Sequence, residues 1–280
     1  MMEEPLQLGE GGRLFGILTR PDDEGHGAPV FVFLNAGLLH RAGPHRLHVR
    51  LARRLAAHGI HSLRVDLGGL GDSLAPQGVT YPESVTVDFA DILELISTET
   101  GLTSTVLVGL CSGADNAIRL TADNPAVSGL VLMDPVCAKD EAFESRKGKF
   151  ASQALKTKAT TPSRYVPALK RRIDALTQPA SGDDDEKLTS DSLDLRDIPD
   201  AGETRRAFEQ VRDRDGRILS VFTSYALRYY NEHGQMERVL GVDRYDDFVT
   251  ELFWPQMRHT YPLETHRLQL MDAIEKWATR

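Results

Sequence analysis

The most constraining feature of the chain is a ten-residue stretch in which an apolar run, Thr105-Val106-Leu107-Val108, leads without a spacer into Gly109-Leu110-Cys111-Ser112-Gly113-Ala114 and then into a helical pattern. A strand that feeds a helix through so short a turn forces its central residue into a strained backbone. Glycines two residues to either side leave room for the close approach. The residue at the centre is Cys111. A frame centred on Ser112 would require glycine at 110 and 114, where Leu110 and Ala114 stand.

The flanking pattern fixes the fold class. Residues 6–20 read as a hairpin turning at Gly11-Gly12, and Pro29-Val30-Phe31-Val32-Phe33-Leu34 is the continuous apolar run of a strand buried on both faces. From 45 to 57, Leu47, Leu51, Ala52, Leu55 and Ala56 recur at helical spacing, with Arg50, Arg53 and Arg54 on the opposite face. The alternation continues with a strand at 61–65, a helix at 85–96, the strand at 105–108, a helix at 114–122 and a strand at 129–133. Strands near 218–222 and 249–253 follow, and a last helix carries Leu270, Met271, Ile274 and Trp277. Such alternation predicts an α/β, doubly wound, mostly parallel sheet with right-handed crossovers.

Between 138 and 213 the pattern breaks into polar, helix-prone pieces with Lys170-Arg171-Arg172 and the acidic Gly182-Asp183-Asp184-Asp185-Glu186. An excursion of that length predicts a lid or cap inserted into a core made of 1–137 and 214–280.

Composition narrows the function classes. With 33 basic and 41 acidic residues the formal charge is −8, so the summed field repels a phosphate backbone and nucleic acid is not expected as a partner. Two cysteines make no disulfide framework and no metal-ligand spacing, so neither metal nor cofactor is expected. The acidic start Met1-Met2-Glu3-Glu4-Pro5 lacks the features of a secretory signal, and no segment reaches the roughly 18 apolar residues of a membrane span. A soluble, cytoplasmic protein is the expectation.

A strand, a sharp turn and a helix, with a nucleophilic side chain at the turn, resemble the nucleophile elbow of the α/β-hydrolase superfamily. Three further stretches carry the resemblance. Asp66-Leu67-Gly68-Gly69-Leu70-Gly71-Asp72-Ser73 is similar to the family's D-x-x-G-x-G-x-S segment, and Asn35-Ala36-Gly37-Leu38 stands where the His-Gly oxyanion loop belongs. Arg258-His259-Thr260-Tyr261 lies between the last strand and last helix, where the catalytic histidine is kept. The run from Asn35 to Ser73 resembles bacterial hydrolases of the serine-aminopeptidase-like group, including those associated with exosortase systems. The elbow cysteine resembles dienelactone hydrolases and acyl-shuttling enzymes of natural-product assembly.

The resemblance implies covalent acyl chemistry with Cys111 as nucleophile and His259 as base. Ser112, with Gly37 or Leu38, would supply the oxyanion hole through backbone N–H groups. A cysteine at a helix N-terminus, beside an imidazole, is favoured as thiolate. His233 and His266 are the other histidines considered. The acid departs from the pattern, because Thr223-Ser224-Tyr225-Ala226-Leu227 after the strand at 218–222 contains no Asp or Glu. Asp134, after the neighbouring strand, is the substitute, or else Asp134-Pro135 merely ends that strand; Glu232 and Asp243 are further options. His45 and Arg46 are candidates to hold an anionic group of the substrate, or else are solvated surface. Cys137 reads as a structural thiol. The expected substrate is a small acyl ester or thioester, free or bound to a carrier protein, and the product is set by whether water or a second nucleophile accepts the acyl group. An acyl-carrier-linked cyclase or lyase uses the same intermediate, and a non-catalytic binding protein with a decayed triad is the alternative of another class.

Overall fold

The structure, a computed structural model, describes residues 1–23, 27–146 and 197–280. The described residues form one eight-stranded sheet in the order β1-β2-β4-β3-β5-β6-β7-β8. The strands are β1 (Met2–Leu8), β2 (Leu14–Arg20), β3 (Val30–Phe33), β4 (Ser62–Asp66), β5 (Thr105–Leu110), β6 (Val127–Met133), β7 (Arg217–Thr223) and β8 (Val249–Trp254). β1 and β2 run antiparallel to their neighbours, and β4, β3, β5, β6, β7 and β8 are mutually parallel. β1 is an edge strand, which is why it tolerates Pro5.

Side-chain alternation divides the core into two layers. Val30 and Val32 of β3, Leu107 of β5 and Leu130 and Leu132 of β6 face one way, and they meet α2 (Tyr81–Thr100), α3 (Ser112–Asp123) and α4 (Ala201–Asp213) through Phe89, Ile92, Ala117, Ile118, Phe208 and Val211. Phe31, Phe33, Val106, Val108, Val131 and Met133 face the other way, toward Leu47, Leu51 and Leu55 of α1 (Leu47–Ala56) and toward Leu270, Ile274 and Trp277 at the C-terminal helix (Glu264–Ala278). Two short helices, α5 (Gln235–Leu240) and α6 (Tyr245–Phe248), link β7 to β8, which makes the C-terminal helix α7. The doubly wound α/β class expected from the sequence is the fold observed.

Three boundaries differ from the sequence reading, each for a local reason. α2 starts four residues before the expected Val85, because Thr80 and Glu83 form a reciprocal capping box and Pro82 sits in the first turn. α3 starts at Ser112, immediately after the elbow. Residues 201–213 fall inside the span expected for a lid, yet they form α4, which buries Thr204, Ala207, Phe208 and Val211 against the sheet. A parallel β6-to-β7 connection needs a crossover element on the face, and α4 supplies it. The rest of the expected insertion from 147 to 196, with Lys170-Arg171-Arg172 and the acidic run at 182–186, lies outside the described residues. Among the described residues no helix is long and apolar enough to cross a membrane.

The chain runs from β3 to β4 on one side, then returns over β3 to β5 on the other. The crevice at the carboxyl ends of β3 and β5 is therefore the topological switch point, where open α/β sheets hold their ligands.

Candidate active site

Cys111 lies just past that end of β5 with φ 57° and ψ −120°, a conformation that costs a non-glycine residue about 1–3 kcal/mol. The backbone around it holds it there. Its N–H donates to the Met133 carbonyl at 2.9 Å, and its own carbonyl accepts from Ala114 N–H at 2.9 Å and Asp115 N–H at 3.1 Å. The two glycines are dictated by contact. A Cβ on Gly109 would stand 2.1 Å from the Gly113 carbonyl oxygen, and one on Gly113 would stand 2.5 Å from the Asn35 carbonyl oxygen. Ser112 and Gly113 open α3, so their N–H groups belong to the first turn that has no intrahelical acceptor.

Asp134 follows β6 directly and also takes a positive φ, 51°. Its N–H is fixed on the Val221 carbonyl at 2.8 Å. The carboxylate is fully buried and accepts three hydrogen bonds: from Thr223 N–H at 2.6 Å, from Thr223 Oγ1 at 2.7 Å and from His259 Nδ1 at 2.6 Å. The end of β7 therefore contributes a threonine that braces the carboxylate of its neighbour. His259 sits on the loop between β8 and α7, which Arg267 closes by donating to the Tyr261 and Pro262 carbonyls, both at 2.7 Å. Burial pulls the imidazole down, but hydrogen bonds to Asp134 and Cys111, with the charges on both, outweigh it and lift the pKa from 6.5 to about 9. With Nδ1 engaged by Asp134, Nε2 is the ring nitrogen left to interact with Cys111. The imidazole thus stands between carboxylate and thiol.

Tyr225, which the sequence reading passed over, completes the site. Its hydroxyl lies 3.8 Å from Cys111 Sγ, and its ring stacks on the His259 imidazole with centroids 3.9 Å apart and planes 16° from parallel. The Arg228 guanidinium carbon is 3.6 Å from the centroid of the same ring. Two groups so close to one centroid must take opposite faces, so Tyr225 is held between His259 and Arg228. The available signal was positional: the expected acid loop after β7 carries an aromatic residue in place of the acid.

A cavity of about 270 Å³ opens on this group, lined by Ala36, Gly37, Leu38, Leu39, Leu110, Cys111, Tyr225, His259 and Thr260. Gly37 and Leu38 are the central residues of a turn closed by Leu39 N–H on the Ala36 carbonyl at 3.1 Å. The Gly37 N–H, one of the expected oxyanion donors, is taken up by Ser112 Oγ at 2.7 Å, so in this state it points at a side chain. The Leu38 amide takes no part in the turn bond, and Leu38 is among the residues lining the cavity.

Asp66 anchors this loop from beneath. Its buried carboxylate accepts from Asn35 Nδ2 at 2.9 Å, from Arg41 N–H at 2.6 Å and from the Arg41 guanidinium, while Asn35 Oδ1 accepts from Leu67 N–H at 2.8 Å. Gly71 has φ 51°, and a Cβ there would lie 2.2 Å from Asp66 Oδ2, so the glycine permits the carboxylate to be enclosed. The motif from 66 to 73 is thereby the clamp of the loop at 35–41.

Other candidates lie elsewhere. His45 and Arg46 are exposed in the turn before α1, at φ 52° and 61°, and are not among the residues lining the cavity. His233 contacts the Glu251 carbonyl at 3.0 Å, Glu232 pairs with Arg238 at 2.7 Å, and the Asp243 carbonyl accepts from Arg212 at 3.5 Å. His266 is carried on α7. Cys137 is buried, which pushes its thiol up to about 12, as suits a structural thiol. Among the described residues His40, Asp66 and Asp72 have the spacing of a metal cluster, but the Arg41 guanidinium already bonds both carboxylates.

Comparison with known proteins agrees with this architecture. The family model described as "Serine aminopeptidase, S33" matches residues 37–218. The human protein ABHD12B is 34% identical over 113 residues, covering 39% of this chain and 30% of its own length, so the chain spans under a third of that relative. Among solved structures, proline iminopeptidase from Mycobacterium smegmatis superposes with a TM-score of 0.57 at 12% identity, covering 98% of this chain and 97% of that one. Est1E from Butyrivibrio proteoclasticus gives 0.56 at 13% identity, with 98% and 96% covered.

Proposed function

Because the chain belongs to the serine aminopeptidase S33 family of α/β-hydrolases, we propose that it is a hydrolase or acyltransferase in which Cys111 stands where the family keeps serine and forms an acyl-cysteine from an ester or thioester. One observation carries the reading: the buried Asp134 carboxylate is bonded to the His259 imidazole, and His259 and Cys111 line the same cavity.

In the proposed reaction the sulfur attacks the substrate carbonyl while its proton resides on His259. Negative charge moves to the carbonyl oxygen, where the Ser112 N–H and the amide of Gly37 or Leu38 receive it. For Gly37 to take part, Ser112 Oγ must release its N–H. The tetrahedral adduct collapses, the imidazolium gives its proton to the leaving group, and the acyl group stays on sulfur. His259, neutral again, accepts a proton from water or from a second nucleophile, which attacks the thioester and restores the thiol. A thiolate exchanges readily with thioesters of similar energy, so thioesters and transfer to a second nucleophile fit this site best.

The alternative of a non-catalytic binding protein was motivated by the missing acid after Phe222. A carboxylate bonded to His259 from the adjacent strand speaks against it. The test is intact-mass and peptide mass spectrometry after incubation with short acyl thioesters and aryl esters. An acyl adduct on Cys111, absent from Cys111→Ala, is expected; wild-type protein that stays unlabelled by every donor would refute the proposal.

A further inference from the structure

We propose that Tyr225 is a further catalytic residue of this site, its hydroxyl donating a hydrogen bond to the sulfur of Cys111 and its ring, clamped by Arg228, fixing the imidazole of His259. The inference rests on the reading of Cys111 as nucleophile.

Three contacts converge on one side chain: the hydroxyl at 3.8 Å from Sγ, the imidazole stacked on one face, and the guanidinium on the other. The donor direction follows from the proton balance. A thiol is a weak donor and a thiolate an acceptor, and His259, raised to about 9, holds a proton at neutral pH. A protonated imidazole has only N–H groups to offer the sulfur, so the sulfur is the acceptor there, and the phenol, a stronger donor than a thiol, donates to it as well. The geometry is then selective among reaction states. When sulfur is bonded to an acyl group its charge is gone and the phenol bond weakens; when the acyl group departs, thiolate re-forms and the bond returns. Tyr225 thereby stabilises sulfur as attacking group in the first half-reaction and as leaving group in the second.

The loop supplies the means of placement. Tyr225 N–H donates to Thr223 Oγ1 at 3.3 Å, and that hydroxyl donates to Asp134, so one short segment braces the acid and positions the ring. Arg228 is exposed, so its guanidinium reaches the ring from the solvent side and holds the stack shut.

The experiment measures alkylation of Cys111 by iodoacetamide across pH 5–10, read by peptide mass spectrometry so that Cys137 is counted separately. In Tyr225→Phe the ring and stack remain and only the hydroxyl is lost. The rate at pH 6–7 is expected to fall about 3- to 10-fold, as for loss of one hydrogen bond, with the midpoint of the profile displaced upward. Arg228→Ala changes an exposed residue and leaves the fold unburdened; the His259 ring resonances, assigned in the wild type, are expected to broaden or shift. If the Tyr225→Phe profile superimposes on the wild type and the His259 resonances of Arg228→Ala are unmoved, the proposal is overturned. Failure of the broader reading looks different: Cys111 would then resist acylation by thioesters in the wild type, while the alkylation profiles would still report the contact.

Discussion

At the scale of single residues, the protonation state of His259 governs what the site can do. An imidazole with a pKa near 9 is a poor base at neutral pH but a ready acid, which is the role the proposed first half-reaction gives it. The wild-type acylation rate is therefore expected to hold from about pH 6 to 8 and to fall as pH rises through about 9, where the imidazolium is lost; a stopped-flow burst measured against pH checks this. Cys111→Ser should behave oppositely, because a serine hydroxyl needs a neutral imidazole to accept its proton. Its activity, lower throughout, should climb with pH. Asp134→Asn removes the first of the groups that lift His259 and leaves only Cys111 to oppose burial, so the imidazole should titrate below its value in the wild type by NMR, and acylation should slow by roughly 10²-fold.

At the scale of elements, the site depends on two supports that sequence inspection grasped unequally. The elbow was legible because its glycines and central cysteine form a local pattern, and close backbone contact demands that pattern. Gly113→Ala is expected to cost about 1–3 kcal/mol by urea denaturation, since the added Cβ meets the Asn35 carbonyl oxygen at 2.5 Å. The clamp beneath the loop at 35–41 was legible as a motif but not as a mechanism. Asp66→Ala leaves the Arg41 guanidinium and Asn35 without their shared acceptor, and a loss of about 3–5 kcal/mol is expected, with a slower acylation step as the loop slackens. Tyr225 escaped notice because its one mark, an aromatic residue where the loop after β7 was expected to hold an acid, reads locally only as a missing carboxylate. Its contacts with Cys111 and His259 are made across 114 and 34 residues, which the sheet from β5 through β6 and β7 to β8 brings to it. The exposed placement of His45 and Arg46 was hidden because nothing in their neighbours announces two successive non-glycine residues of positive φ before α1.

At the scale of the whole molecule, the alternation of strands with helices and the coverage of the sheet on both faces followed from the pattern of apolar runs. The placement of α4 did not, because a polar, Arg-rich helix preceded by a long insertion reads as part of that insertion until the crossover it must supply is considered. Global stability should carry the signature of His259. Its folded pKa is raised above the unfolded value of 6.5, so its contribution is complete below that value and is lost as pH rises through about 9. Denaturant midpoints are expected to decline between pH 6.5 and 9, and the decline should flatten in His259→Gln. A slope unchanged in that variant would count against the assignment.

The parallel register of β5, β6 and β7 has a consequence for how the chain becomes active. Cys111 and Asp134 are each the first residue beyond their strand, Thr223 is the last residue of its own, and the Leu110–Met133 and Met133–Val221 pairings set their relative heights. Pairings between distant segments form late when a chain folds, because loop closure costs entropy before the contacts repay it. On refolding from denaturant, burial of the helices should thus precede the return of Cys111 reactivity, and that reactivity would serve as a clock for the last strand to lock into place.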